Sequence, residues 1–128
     1  MKGFLMLYAI LCYHKEDVVG AWTREEEEAC MARLAAVQED LAREGRLGPV
    51  ARLLPTTAAA SLRMKGDEPL VLDGPFAETK EQLLGFYLVE CKDLEEAIDV
   101  ARRLEIANPG GTHEVRPVGL YSPVPATL

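Results

Sequence analysis

Apolar and polar positions divide the chain into two halves of similar plan. Phe4 to Cys12 carries apolar residues on both faces of an extended segment, which predicts a central strand covered on both sides. A polar link, Tyr13 to Trp22, follows it. Cys30, Leu34, Val37 and Leu41 then recur at helical spacing, while Arg33, Gln38, Glu39 and Asp40 fall off that stripe. Thr23-Arg24-Glu25-Glu26 has the form of a capping box, and the acidic run Glu25 to Glu28 suits the positive end of a helix dipole. With Gly45 as the stop, the first helix is predicted from about Thr23 to Glu44.

The period then changes. Leu47 to Leu54 and Ala58 to Lys65 read as strands, the latter half-exposed because Ser61, Arg63 and Lys65 alternate with Leu62 and Met64. Gly66-Asp67-Glu68-Pro69 is a turn, Leu70-Val71-Leu72 a short extended piece, and Leu83 to Cys91 a long strand. Asp93-Leu94-Glu95-Glu96 repeats the helix-start chemistry before the stripe Leu94, Ala97, Ile98, Ala101, Leu104. Asn108-Pro109-Gly110-Gly111 stops that helix, and Thr112 to Val118 is the last strand. Residues 1–121 then form one α+β domain, with 122–128 a C-terminal tail, loose or draped on a partner.

This order is a β-α-β-β-α-β plan with extra short strands. Right-handed crossovers place both helices on one face of a mainly antiparallel sheet. The first strand is apolar on both faces and no third helix is predicted, so a second copy of the chain is expected to cover the open face as a homodimer.

Composition narrows the function classes. The 128 residues are 48% hydrophobic, enough for one packed domain, and the net charge of −7 disfavours nucleic-acid and membrane surfaces. Met1-Lys2-Gly3 before an apolar run has the look of a signal peptide, but Leu11 is bulky where a lipoprotein-type cleavage before Cys12 needs a small residue, and no polar linker follows. The run also falls short of the roughly 20 residues that span a bilayer. Cys12, Cys30 and Cys91 are odd in number and widely separated, which fits neither a disulfide framework nor a zinc spacing and suggests reduced thiols in a cytoplasm. There is no phosphate-cradling glycine loop, no Gly-x-Ser-x-Gly, no His-x-x-x-His and no Cys-x-x-Cys, so no cofactor and no metal is expected.

Unusual chemistry concentrates in Asp73-Gly74-Pro75-Phe76-Ala77-Glu78-Thr79-Lys80-Glu81. Asp-Gly alone makes a hairpin turn; a proline, an aromatic and a charge run beyond it point to a shaped site. In a functional reading Asp73 is a general base if desolvated, Lys80 holds an anion or developing negative charge, Phe76 forms an apolar wall and Glu78 is a ligand-binding candidate. In a structural reading Asp73 caps its own turn, Pro75 and Phe76 lock the loop to the core, and Glu78, Lys80 and Glu81 form solvated ion pairs. His14, in the polar link, and His113, on Val115's face of the last strand, are assisting candidates; a surface histidine is the plainer reading of His14. Glu114 and Arg116 share one strand face, suited to an ion pair or to an anion site in which Arg116 binds ligand. Trp22 reads as a hydrophobic anchor and Glu25 to Glu28 as a solvated helix start.

The nine-residue motif, followed by Gly85-Phe86-Tyr87 and closed by Glu114-Val115-Arg116-Pro117-Val118, resembles the YCII-related, or DGPF-domain, family of small bacterial proteins, from Met1 to about Val118. The resemblance implies a ferredoxin-like fold and a dimeric α/β-barrel-like assembly. Family members are mostly uncharacterised, and some occur beside or fused to sigma-factor-like regulators. A distant branch is credited with small-molecule lyase chemistry by a His and Asp pair whose His lies on the first helix; the first helix here contains no histidine. Two functions follow as expectations: a small-molecule enzyme of proton-transfer or lyase type, or a non-catalytic module that binds a metabolite or a regulatory partner.

Overall fold

The computed structural model describes residues 5–122. Its elements are β1 (Met6–His14), α1 (Glu16–Gly20), α2 (Arg24–Arg43), β2 (Leu47–Arg52), β3 (Ala60–Lys65), β4 (Glu68–Asp73), β5 (Gln82–Cys91), α3 (Leu94–Ala107) and β6 (Thr112–Pro117). The expected tail lies outside the described residues except for Ser122.

Both long helices start where local chemistry demands. Thr23 Oγ1 accepts from the Glu26 N–H at 3.1 Å and the Glu26 carboxylate accepts from the Thr23 N–H at 3.1 Å, closing the capping box of α2. Asp93 caps α3 through the Glu96 N–H at 2.9 Å. At the far end of α2, Gly45 adopts φ 72°, the Arg46 N–H reaches the Leu41 carbonyl and the Gly45 N–H the Ala42 carbonyl, a Schellman stop.

Four strands form one sheet in the order β2-β5-β1-β6, every neighbouring pair antiparallel. The mixed α+β architecture, with three α-helices among the described residues, is consistent with a ferredoxin-like arrangement. Tyr8 and Ile10 of β1 and Tyr87 and Val89 of β5 share one face and pack with Leu41 of α2 and Val100 and Leu104 of α3. Ile10, Leu41, Val89 and Leu104 are fully buried, each worth about 1.5–3 kcal/mol of transfer free energy before entropy is set against it. Leu7, Leu11, Phe86 and Leu88 alternate onto the opposite face, where no helix among the described residues covers them, and are half-buried.

The structure departs from the pattern reading in two places. The link between Tyr13 and Trp22 contains α1, a single helical turn held from outside: the Glu16 N–H donates to Gln82 Oε1 at 2.9 Å, while the Glu16 carboxylate accepts from the Thr56 N–H and hydroxyl at 2.7 and 2.6 Å. The extra strands β3 and β4 do not extend the main sheet but pair with each other as a separate hairpin. Leu62 and Val71, directly opposed on one face of that hairpin, are 66% and 67% exposed.

Candidate functional site

Beneath the first turns of α2, the end of β1 meets the start of β6 and the loop that leaves α3. Register places Cys12 between Gly85 of β5 and His113 of β6, so Cys12, Gly85 and His113 form one row on the helix-facing side. His14, two residues further along β1, shares that side. The loop approaches closely because it is glycine: a Cβ on Gly111 would overlap the Tyr13 carbonyl oxygen and stand 3.1 Å from the His14 ring. Gly110, at φ 101°, lies against the edge that carries Nε2.

A cavity of about 240 Å³ opens here between α2 and the sheet. Trp22, Met31, Leu34 and Val50 supply apolar wall, and His14, Asn108 and His113 supply polar surface. Its size falls below the roughly 300–1,000 Å³ typical of drug-sized ligand clefts. Across the cavity, Gln38 donates to the Tyr87 hydroxyl at 3.3 Å. Arg33 of α2 donates to the Ala107 carbonyl at 2.8 Å, tying α2 to the end of α3.

His14 is 4% exposed, not a surface residue. Its Nδ1 accepts the Lys15 N–H at 2.8 Å, and its ring meets Trp22 edge-on with centroids 5.9 Å apart. His113 Nδ1 stands 3.1 Å from Glu105 Oε2, within ion-pair reach but off the direction of a hydrogen bond. Burial pushes the His113 imidazole below its ordinary pKa, and the nearby Glu105 carboxylate pulls in the opposite direction. Cys12 is a poor nucleophile candidate: burial, with a smaller contribution from Glu105, pushes its thiol up to about 12.

Two buried polar atoms around this corner, His14 Nε2 and Asn108 Oδ1, have no hydrogen-bond partner among the described residues; His113 Nδ1 and Glu105 Oε2 have each other at 3.1 Å, outside hydrogen-bond geometry. Such atoms are costly to leave unpaired, at about 1–3 kcal/mol each. Among the described residues no three His, Cys, Asp or Glu side chains are grouped to hold a metal ion.

The Asp73 loop lies elsewhere. Asp73, Phe76, Glu78 and Lys80 are exposed, Phe76 at 73%, and none lines the cavity. The turn is held by its backbone and by Ser61, not by the Asp73 side chain: the Gly74 N–H donates to the Ala59 carbonyl at 2.7 Å, and Ser61 Oγ donates to the Gly74 carbonyl at 2.8 Å. Among the described residues, neither Glu78 nor Lys80 forms an ion pair; Glu81 instead accepts from the Thr112 hydroxyl at 3.1 Å. Arg116 pairs with Glu114 at 2.6 Å on the open face, where the Tyr13 hydroxyl also donates to Glu114 at 3.4 Å.

Of the sequence candidates, then, the structure brings His14 and His113 together and leaves Asp73, Lys80, Phe76, Glu78 and Arg116 on other surfaces. Pattern reading passed over Glu105 and Asn108. Glu105 follows Leu104 of the apolar stripe and reads as an ordinary helix-surface acid; Asn108 reads only as a helix stop.

Comparison with known proteins identifies the family. The model of the YCII-related domain matches residues 6–120. A protein of Rhizobium meliloti (strain 1021), itself named as uncharacterized, is 60% identical over 119 residues, which span 92% of this chain and 96% of its own. The matched span runs from β1 past β6 and includes the cavity with both histidines, and on this match the chain belongs to the YCII-related domain family.

Proposed function

We propose that the cavity between α2 and the sheet binds a small organic molecule and that His14 and His113 act on it by proton transfer. The observation that carries this reading is the meeting of His14, His113 and Asn108 at one end of an otherwise apolar-walled cavity. Glu105 supports it as the carboxylate beside His113, an arrangement that orients an imidazole and stabilises its charged form after it takes a proton. The two sheet-borne histidines would do the work for which α2 offers no histidine.

The exposed apolar surface favours a second, compatible reading as a partner-binding module. Leu62, Met64, Val71 and Phe76 project from the hairpin and its following loop, and Leu7, Leu11, Phe86 and Leu88 lie on the open sheet face. A second copy of the chain is the partner we assign to the open face, with the Asp73 to Lys80 loop as additional contact surface for a ligand or regulatory protein. The free thiols of Cys12, Cys30 and Cys91 support a reducing, cytoplasmic setting, and among the described residues no helix is long and apolar enough to cross a membrane.

A fragment screen by ligand-observed NMR, run on the wild type and on Ala35→Trp, tests the site. Ala35 lines the cavity from the exposed side of α2, so a tryptophan there fills space without opening the core. Fragments bound by the wild type should be lost from the variant. For bound carbonyl compounds, deuterium uptake from D2O at the adjacent carbon should be accelerated by the wild type and not by His113→Gln. Fragments that bind both proteins equally would place the ligand elsewhere, and uptake unchanged in His113→Gln would remove the proton-transfer role.

A further inference from the structure

The cavity has one permanently charged wall. Of the described residues that line it only Arg52 is charged whatever the pH, and no aspartate or glutamate joins it, in a chain whose net charge is −7. Register sets Arg52 of β2 opposite Gly85, so Arg52, Gly85, Cys12 and His113 follow one another in a row across all four strands. At about 4.8 Å per strand the Cα atoms at its two ends lie about 14 Å apart, with only Gly85 and Cys12 between them. From the sheet the Arg52 side chain crosses to α2, where Nη1 donates to Met31 Sδ at 3.4 Å and Nη2 stands 3.5 Å from Glu27 Oε1. Met31 lines the cavity as well, so the guanidinium touches a residue of the opposite wall and stands at the rim, in a side chain that is 56% exposed.

Neither partner satisfies that guanidinium. A thioether is a weak acceptor for one of its five donors, and an ion pair at 3.5 Å between two side chains that are both more than half exposed contributes little. Arg103 and Arg116, by contrast, hold carboxylates at 2.8 and 2.6 Å. We infer that Arg52 is the anchor for a carboxylate, and that the ligand class is a small organic acid whose apolar body lies in the cavity with its far end towards His113. The inference rests on the cavity being the binding site and adds the charge and the orientation of what enters it. A carboxylate matches the planar fork of a guanidinium with two parallel hydrogen bonds, which neither Met31 nor Glu27 supplies. A volume of about 240 Å³ holds roughly eight water-sized groups at about 30 Å³ each, which suits an acid of about six or seven carbons. Glu27 is the competitor that such an acid displaces.

The test compares cyclohexanecarboxylate with cyclohexanecarboxamide, which have nearly the same shape and differ in charge, by ligand-observed NMR titration of the full chain at neutral pH. Wild type should bind the acid about tenfold more tightly than the amide, and Arg52→Gln should bind the two alike. Glu27→Gln removes the competing carboxylate, so it should tighten the acid about two- to fivefold without tightening the amide. Equal binding of acid and amide by wild type overturns the inference, as does a preference that survives in Arg52→Gln. An acid that still binds Ala35→Trp as it binds wild type sits outside the cavity and overturns it too. Amide bound by wild type and lost from Ala35→Trp, without preference for the acid, removes the anchor and leaves the cavity reading standing. If neither probe nor any fragment binds wild type, both readings fall. Should Arg52→Gln not fold, the acid's advantage in wild type and its response to Glu27→Gln decide the question.

Discussion

Gly111 passes Tyr13 so closely that a methyl group on it would overlap the Tyr13 carbonyl oxygen and press on the neighbouring His14 ring. The contact joins the loop after α3 to the end of β1, and it sets where the His14 ring lies relative to His113. Gly111→Ala should destabilise the protein by about 1–3 kcal/mol in urea denaturation, the cost of forcing extra volume into a packed contact. Gly20 has open space around its Cβ position, so Gly20→Ala should leave stability unchanged or raise it by about 0.4–1 kcal/mol. Equal losses at both positions would show that the Gly111 approach does not constrain the site.

Acid should weaken the fold through His113. Burial, partly offset by Glu105, holds its pKa below the ordinary 6.5 when folded, so between those two values the unfolded chain binds the extra proton. The contribution is full above pH 6.5 and is lost progressively as pH falls through that value towards the depressed folded one. Unfolding free energies measured from neutral pH downward should show this limb in wild type and lack it in His113→Gln. Glu105→Gln removes the charge that pulls the pKa up, so its limb should extend to lower pH.

Asp73 stands exposed, and its turn is held by other groups. Asp73→Asn should therefore change stability by no more than about 0.5 kcal/mol, less than the roughly 1 kcal/mol of a lost cap. It should also leave fragment binding at the cavity intact. Ligand binding that disappears with this substitution would return the loop to the centre of the function.

The open sheet face should carry self-association. Leu11 lies there, half-buried within its own chain. Sedimentation velocity on wild type is expected to show a dimer, and Leu11→Glu a folded monomer, because a carboxylate cannot be desolvated in that interface without an unpaired charge. A wild-type protein that stays monomeric at high concentration would leave the open face to another partner.

What the sequence determined by itself was the local grammar. Thr23 with Glu26 and Asp93 with Glu96 announce the helices, because a cap is a contact among residues three apart; Gly45 announces a stop, because only glycine takes a positive φ at little cost. Alternation in β5 and the stripe of α3 gave the strand and the helix face, since burial repeats with the period of the element. Tertiary structure decided the rest. Helix α1 is too short to hold itself and depends on Glu16 reaching Thr56 and on Gln82, partners no local window contains. The Asp73 motif looked like a site for its composition, yet exposure is a property of where the β3–β4 hairpin goes, and the hairpin pairs only with itself in a separate sheet. His14 and His113 sit at opposite ends of the chain and meet because β6 returns antiparallel beside β1, which turns two unremarkable positions into neighbours at one buried corner.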